Sequence, residues 1–232
     1  MNKIGIIGAM ESEVEALKAL MKVDRIVNKA SMNFYEGTLR NTAVVVVKSG
    51  IGKVNAGICV QILKDIFDVT HVINTGVAGG LHNEINIGDI VISTDAIQHD
   101  VDATIFGYQL GHIPGMDTRE FVADTRLIEL AKTTCEEVNP DIRTFVGRIV
   151  SGDQFISSSE VKDRLIANFD GFCAEMEGAS VAQAAYLNHL PYVVIRAISD
   201  KADGSAEMDY PQFELLAASH SAKLVENLVD KI

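Results

Sequence analysis

Acidic side chains follow four of the apolar segments that are predicted to be β-strands. These segments run into the sequences GAMESE, SGDQF, AEMEG and ISDKAD. The carboxylates that they contain are Glu11, Glu13, Asp153, Glu175, Glu177, Asp200 and Asp203. Because ligands of open α/β sheets bind beyond the carboxyl ends of the strands, we expect these groups to face one edge of a sheet.

A group of carboxylates is suited to breaking a glycosidic bond. One acid can protonate the leaving group while a second carboxylate activates water on the opposite face of the sugar. Negative charge stabilises an oxocarbenium-like transition state, and a carboxylate can accept two hydrogen bonds from sugar hydroxyls. The alternative is that single carboxylates complement helix N-termini, and Glu11, Asp153 and Glu175 fit that alternative well. Their occurrence after four separate segments favours a site.

Two glycine-rich segments, SGIG and TGVAGG, are predicted at the same edge, where glycine lets a ligand approach the backbone closely. SGIGK lacks the spacing of a phosphate-binding P-loop, and TGVAGG lacks that of a dinucleotide-binding turn. The metal and nucleophile motifs HExxH, CxxC and GxSxG do not occur, and the six His residues are scattered. We therefore predict no metal site, no cofactor and no covalent nucleophile.

The elements that must position these groups alternate between strands and helices. Strand patterns cover residues 3–8, 32–39, 42–49, 71–75, 89–97, 144–150, 172–176 and 192–198. Helical patterns cover residues 11–22, 53–67, 127–138, 160–168, an Ala-rich stretch ending at 189, and 211–229, with Pro211 in the first turn of the last helix. The run AVVVV predicts a strand covered on both faces. The expected fold is α/β: a single domain over residues 1–232, built as a three-layer α/β/α sandwich around a mixed, largely parallel twisted sheet.

Composition excludes several classes of partner. The net charge of −12 would repel a phosphate backbone, so nucleic-acid binding is not expected. No apolar stretch approaches the roughly 20 residues that span a bilayer, and the N-terminus does not resemble a signal peptide. The three widely spaced cysteines form no disulfide framework, which fits a reducing compartment. We expect a cytoplasmic protein without membrane contact.

At its motifs the chain resembles the 5′-methylthioadenosine/S-adenosylhomocysteine nucleosidases, within the purine nucleoside phosphorylase-like proteins. The resemblance rests on KIGIIGAMESEV, KSGIGKVNA, INTGVAGGL, GDIVIS, HDVDATIFGY, VSGDQFI, EMEGASVAQ and VIRAISDKAD. These stretches run from residue 3 to about residue 205, and their combination is specific although each alone is not. The resemblance implies hydrolysis of a 5′-thio-substituted adenosine to adenine and the substituted ribose, in methionine salvage.

The resemblance also implies roles for individual residues. Glu13 would activate the attacking water, and Asp200 would protonate or hydrogen-bond N7 of adenine. Glu177 would hold the ribose hydroxyls, Phe155 would stack on adenine, and the backbone of Ile156 would read its polar edge. The remaining residues implied to contact substrate or to support these groups are Met10, Ile51, Ala78, Gly79, Glu175, Met176, Arg196, Ser199, Tyr210 and Phe213.

Within this last set, Arg196 and Ser199 would support Asp200, while Tyr210 and Phe213 would cover the pocket. Without the resemblance, the residue types alone favour core positions for Ile51, Met176 and Phe213. The resemblance further implies a homodimer, in which a partner loop around Phe106 and Pro114 closes the 5′-thio end of the pocket.

Two positions depart from the family pattern. Val77 occupies a place where many relatives carry Ser, and Gly178 occupies one where Ala is common. Val77 removes a hydroxyl, and this affects the expected rate and substrate range.

Two other functions stay open: a phosphorylase that uses phosphate instead of water, and a nucleoside-binding module without catalysis. The acidic first turn, with no Arg before Arg25, favours water over phosphate. The sequence does not rank methylthioadenosine, adenosylhomocysteine, 5′-deoxyadenosine and futalosine-type nucleosides as substrates.

Overall fold

Residues 2–232 are described by a computed structural model and contain six α-helices and ten strands of one sheet. The strands are β1 (Lys3–Gly8), β2 (Lys22–Lys29), β3 (Met32–Leu39), β4 (Thr42–Lys48), β5 (His71–Gly80), β6 (Ile90–Gln98), β7 (Phe121–Val122), β8 (Thr144–Ser151), β9 (Cys173–Glu175) and β10 (Tyr192–Asp200). The helices are α1 (Glu11–Leu20), α2 (Lys53–Phe67), α3 (Thr125–Val138), α4 (Ser159–Phe169), α5 (Gly178–Leu187) and α6 (Ala206–Leu228). The predicted mixed α/β class is confirmed.

The sheet is mixed and closes partly on itself. Its strand order is β10-β6-β8-β9-β5-β1-β4-β3-β2, and β5 also pairs with β10, so β5, β10, β6, β8 and β9 form a ring. Strands β1, β4, β5 and β10 run parallel to one another, whereas β9 runs antiparallel to β5. Closure places Gly79 beside both Ala174 and Asp200, and Ser151 beside Glu175. The strand ends therefore meet around one opening rather than along the edge of an open sheet.

Helices cover both faces of the sheet. Strand β4 is buried on both sides, and Val44 to Val47 are fully inaccessible, as the uninterrupted valine run predicts. Helices α1, α3 and α6 pack on one side, and α2 packs against α5 on the other. Within residues 2–232, every helix is too short or too polar to cross a lipid bilayer.

The structure corrects several details of the predicted elements. The first helix ends at Leu20 rather than at residue 22, and the unpredicted strand β2 follows it at the exposed edge of the sheet. The strand predicted over residues 71–75 continues through the segment GVAGG to Gly80. The last helix begins at Ala206, so Pro211 lies within it and not in its first turn.

Candidate active site

A cavity of about 360 Å³ opens where the ends of β5, β9 and β10 meet. Its walls are mainly apolar, with four carboxylates among them. The lining residues are Ala9, Met10, Glu13, Ile51, Val77, Ala78, Gly79, Gln154, Phe155, Ile156, Ala174, Glu175, Met176, Glu177, Ser199, Asp200 and Tyr210. The fold thus brings together thirteen of the fifteen residues predicted for catalysis and substrate binding, the exceptions being Arg196 and Phe213.

Glu13 lies in the first turn of α1 and is 4% exposed. Its Oε2 accepts backbone hydrogen bonds from Ala9 (2.6 Å) and Met10 (2.9 Å), and its Oε1 accepts one from Val77 (3.0 Å). A side chain at Gly76 would collide with this carboxylate, so glycine is required there for space. Burial raises the pKa of Glu13, while Arg196 and the backbone donors oppose that rise. Glu13 is therefore a fixed carboxylate of more than ordinary basicity.

Asp200, the last residue of β10, is 2% exposed. Its Oδ2 accepts a hydrogen bond from Ser199 Oγ (2.9 Å), and its Oδ1 accepts one from the backbone N–H of Ala202 (2.8 Å). Burial raises the pKa of Asp200, and the negative charges of Asp209 and Asp203 act in the same direction. A raised pKa favours the protonated form, which is the form that a general acid requires.

Glu177 stands immediately before α5, next to the N-terminus of the neighbouring helix α2. Its Oε1 accepts a hydrogen bond from the backbone N–H of Gly52 (2.8 Å), at the N-terminus of α2. Gly52 has φ +99°, a conformation that favours glycine. Burial raises the pKa of Glu177, with a further contribution from the neighbouring carboxylate of Glu175. Glu177 is thus held by the N-terminus of α2, with its carboxylate at the cavity wall.

Glu175 touches the cavity, but its oxygens are engaged by protein groups. Its Oε1 accepts from Ser151 Oγ, and its Oε2 accepts from the backbone N–H groups of Glu177 (3.1 Å) and Gly178 (2.7 Å) and from Arg196. This is the helix N-terminus role that the sequence left open for Glu175. A methyl group at position 178 would lie within 3.1 Å of Glu175 Oε1, so Gly178 allows this close packing.

The prediction that Arg196 supports Asp200 is wrong. The buried guanidinium pairs with Glu175, lies 4.0 Å from Glu177 and donates to Asn74 Oδ1 at 2.6 Å. Arg196 and Asp200 are four residues apart on one strand, which corresponds to roughly 13 Å and exceeds the reach of a direct contact. Arg196 instead lies beside Gly76 in the sheet, behind the carboxylates that face the cavity.

Tyr210 lies over the cavity, whereas Phe213 does not line it. The Tyr210 ring packs edge-on against Phe155 with centroids 5.6 Å apart, and its hydroxyl is 3.2 Å from Met10 Sδ. Phe213 is half-buried one turn further along α6, which starts earlier than predicted.

The predicted partner loop lies away from the cavity of its own chain. Phe106 and Pro114 are exposed, and neither residue lines that cavity.

Four lining residues were not among the predicted site residues: Ala9, Val77, Gln154 and Ala174. Each adjoins a predicted site residue in sequence, and that adjacency is the signal that could have identified them. Val77 donates its backbone N–H to Glu13 and is itself one of the residues that line the cavity.

The two buried acids are separated along β5. Glu13 contacts this strand at Gly76 and Val77, whereas Asp200 contacts it at Gly79. A separation of two to three strand residues is roughly 7–10 Å. The contact points of the two acids on β5 are thus about as far apart as acid and base in inverting glycosidases, about 6.5–9.5 Å, where water attacks between them.

Comparisons with known proteins agree on one group. The profile of the phosphorylase superfamily matches residues 3–230. The 5′-methylthioadenosine/S-adenosylhomocysteine nucleosidase of Exiguobacterium sp. is 45% identical over 224 residues, covering 96% of this chain and 95% of the relative. The crystal structure of the Neisseria meningitidis enzyme of the same name, in complex with methylthio-immucillin-A, is 39% identical with a TM-score of 0.96 and full coverage of both chains. A futalosine hydrolase of Helicobacter pylori is 36% identical with a TM-score of 0.94, covering 100% of this chain and 98% of its own.

Proposed function

This chain belongs to the phosphorylase superfamily and, within it, to the 5′-methylthioadenosine/S-adenosylhomocysteine nucleosidases, and we propose that it hydrolyses the N-glycosidic bond of both nucleosides as a single catalytic domain. The products are adenine and the 5′-thio-substituted ribose. The observation that carries this proposal is the pair of buried acids, Glu13 and Asp200, on one apolar cavity of nucleoside size.

Water rather than phosphate is the proposed nucleophile. Among the described residues that line the cavity, none is a Lys, Arg or His. The nearest guanidinium, Arg196, is already engaged by Glu175 and Asn74. A phosphate dianion would need cationic donors and would meet the carboxylate of Glu13 instead. The same carboxylate is suited to accept a proton from water.

The remaining roles are proposed from the resemblance to the family, for residues that all line the cavity. Asp200 donates a proton or hydrogen bond to N7 of adenine, so that the base leaves as a neutral molecule. Phe155 stacks on the base, and the backbone of Ile156 meets its polar edge. Glu177 accepts hydrogen bonds from the ribose hydroxyls, with Met176 against the sugar. Negative charge at Glu13 and Glu177 stabilises the positive charge that develops on the ribose.

Phosphate independence tests the proposed function. The purified protein is incubated with 5′-methylthioadenosine, with and without inorganic phosphate, and both products are identified. We expect adenine and free methylthioribose at the same rate in both conditions, because water is the nucleophile. A sugar phosphate formed only when phosphate is present would assign a phosphorylase instead. Binding without any product would assign a nucleoside-binding module.

A homodimer is proposed from the apolar surface beside the cavity mouth. Val54 on α2 is 72% exposed, and Phe106 is 79% exposed, together with Ile51 and Ile58. Val54 and Ile58 are one helical turn apart and share a face of α2, and an exposed apolar face of this kind marks an interaction site. A partner covering this surface would bring its own segment around Phe106 and Pro114 to the 5′ side of the substrate.

We also propose a cytoplasmic location, which accords with three buried free thiols.

Charge on this surface should separate the subunits. The double variant Val54→Asp, Ile58→Asp is expected to sediment as a monomer, because two carboxylates would be buried without partners in the interface. Sedimentation velocity gives the oligomeric state. Leu215→Asp, a similar change at a 72% exposed residue of α6 on the other side of the sheet, is the matched control and should stay dimeric. A wild-type protein that sediments as a monomer would refute the dimer.

A further inference from the structure

A lysine of α4, Lys162, is buried beneath the segment that follows Asp200. It is 7% exposed, although lysine is almost never buried without partners. Its Nζ donates a hydrogen bond to the backbone carbonyl oxygen of Lys201 at 2.7 Å and lies 3.6 Å from Oδ2 of Asp203. Among residues 2–232, the one backbone oxygen that accepts a hydrogen bond from this Nζ belongs to Lys201, the residue directly after the proposed acid.

The carbonyl that Lys162 contacts belongs to the same peptide group that binds Asp200. The C=O of Lys201 and the N–H of Ala202 form one planar trans peptide unit, so they point in opposite directions. The N–H donates to Asp200 Oδ1 at 2.8 Å, while the C=O accepts from Lys162. The ammonium group and the carboxylate are therefore bonded to the two ends of a single peptide dipole.

This peptide is held in an unfavourable conformation. Ala202 has φ +52°, in the left-handed region that non-glycine residues rarely adopt, and it is fully buried. A flipped peptide would turn the Lys201 oxygen toward the Asp200 carboxylate and remove its hydrogen bond. The side chain of Lys201 does not restrain this peptide, because its Nζ donates a hydrogen bond to the carbonyl of Ile85 instead.

We propose that Lys162 is a positioning residue for the general acid: it fixes and polarises the Lys201–Ala202 peptide, which in turn orients the Asp200 carboxyl toward the base. This inference rests on the proposed function, since it requires Asp200 to act on the leaving group. A charge at one end of a peptide dipole strengthens the hydrogen bond at the other end. Lys162 is not among the residues that line the cavity, so it acts on the acid only through this peptide.

Replacing Lys162 with Met tests the proposal. We expect kcat for methylthioadenosine to fall at least about tenfold, with KM within about threefold of wild type, because the acid is misplaced while the remaining substrate contacts persist. Lys162→Gln, which keeps a neutral donor, should recover part of the loss. Lys132→Met, at an exposed lysine of α3, is the matched control and should leave kcat unchanged. A wild-type kcat in Lys162→Met would overturn the proposal.

Two double variants separate positioning from general stability. In an Asp200→Asn background, Lys162→Met should lower kcat by less than about a further twofold, because both changes affect one acid; fully multiplicative losses would overturn the proposal. Lys162→Met combined with Asp203→Asn removes both partners of the Lys162–Asp203 ion pair and serves if the single variant fails to fold. Its kcat should stay at least about tenfold low. Restored activity there would make Lys162 a mere counter-ion of Asp203 and overturn the proposal.

The outcomes also separate this inference from the proposed function. Unchanged turnover in Asp200→Asn alone would refute the assigned acid and the role of Lys162 with it. A large loss in Asp200→Asn, together with a wild-type kcat in Lys162→Met, would overturn the role of Lys162 and leave the proposed function standing.

Discussion

Replacing Asp200 with Asn is expected to lower kcat for methylthioadenosine by about 10²–10⁴-fold, the range that a positioned general acid contributes. Asn preserves the size of the side chain and can still accept the hydrogen bond from Ala202, so the cavity should keep its shape. It cannot protonate N7, however, and adenine would then have to leave as an anion. Single-turnover kinetics measures the chemical step directly, and titration with a non-hydrolysable nucleoside analogue measures binding.

Binding should change far less than turnover in this variant. We expect analogue affinity to stay within about tenfold of wild type, because Phe155, Glu177 and the apolar walls remain in place. Asp163→Asn, the same chemical change at an exposed residue of α4, is the control and should behave as wild type. Near-normal turnover by Asp200→Asn would remove Asp200 as the acid.

The pH dependence of activity tests the role of Asp200 independently. Burial raises the pKa of Asp200, so the protonated form persists to higher pH than for an ordinary aspartic acid. Activity should therefore fall as pH rises through that raised pKa, because the proton to be donated is lost. In Asp200→Asn, whose side chain does not titrate, this alkaline fall in kcat/KM should disappear from the residual activity.

The sequence predicted most elements because their patterns are strong. Strand β1 and helix α2 have the predicted bounds, since each is a continuous or regularly spaced apolar pattern. Strand β2 was missed because seven of its eight residues are exposed, which leaves no buried face to produce a pattern. Its position at the sheet edge depends on pairing with β3, a tertiary contact that local sequence does not encode.

The site was predictable in its members but not in its internal pairing. Carboxylates after strands signalled the cavity, yet the sequence did not indicate that the sheet closes through β5 and β10. The closure of the sheet determines which side chains the buried charged residues contact. Arg196 faces Glu175 because β9 is drawn against the end of β5, and it is thereby kept away from Asp200. Long-range register decides such contacts, whereas residue type only indicates that Arg196 needs a partner.

Replacing Glu13 with Gln should lower kcat as strongly as Asp200→Asn does, but for a different reason. The Glu13 carboxylate accepts three backbone N–H groups, two at Oε2 and one at Oε1. A Gln amide can satisfy the first position with its oxygen, but its NH₂ group would then face the N–H of Val77, donor against donor. An unsatisfied buried donor costs about 1–3 kcal/mol, so some misplacement of the side chain is expected in addition to the lost charge.

The chemical consequence follows from the loss of a proton acceptor. Burial raises the pKa of Glu13 and makes the ionised form a stronger base than an exposed glutamate, whereas a Gln amide cannot take a proton from water. We expect kcat to fall by about 10²–10⁴-fold, measured as adenine release in single turnovers. The fall of wild-type activity at low pH, where Glu13 becomes protonated, should vanish from the remaining activity.

Glu11→Gln provides the matched control, because the same substitution is made two residues earlier in the same helical turn. Glu11 is exposed and pairs with Lys18 and Lys48 at the surface, where an ion pair contributes about 0–1 kcal/mol. Its replacement should leave turnover within about twofold of wild type, since its carboxylate does not line the cavity. Equal losses in both variants would point to damage of α1 as a whole. Unchanged turnover in Glu13→Gln would mean that water is activated by another group, and Glu177 is then the carboxylate to substitute next.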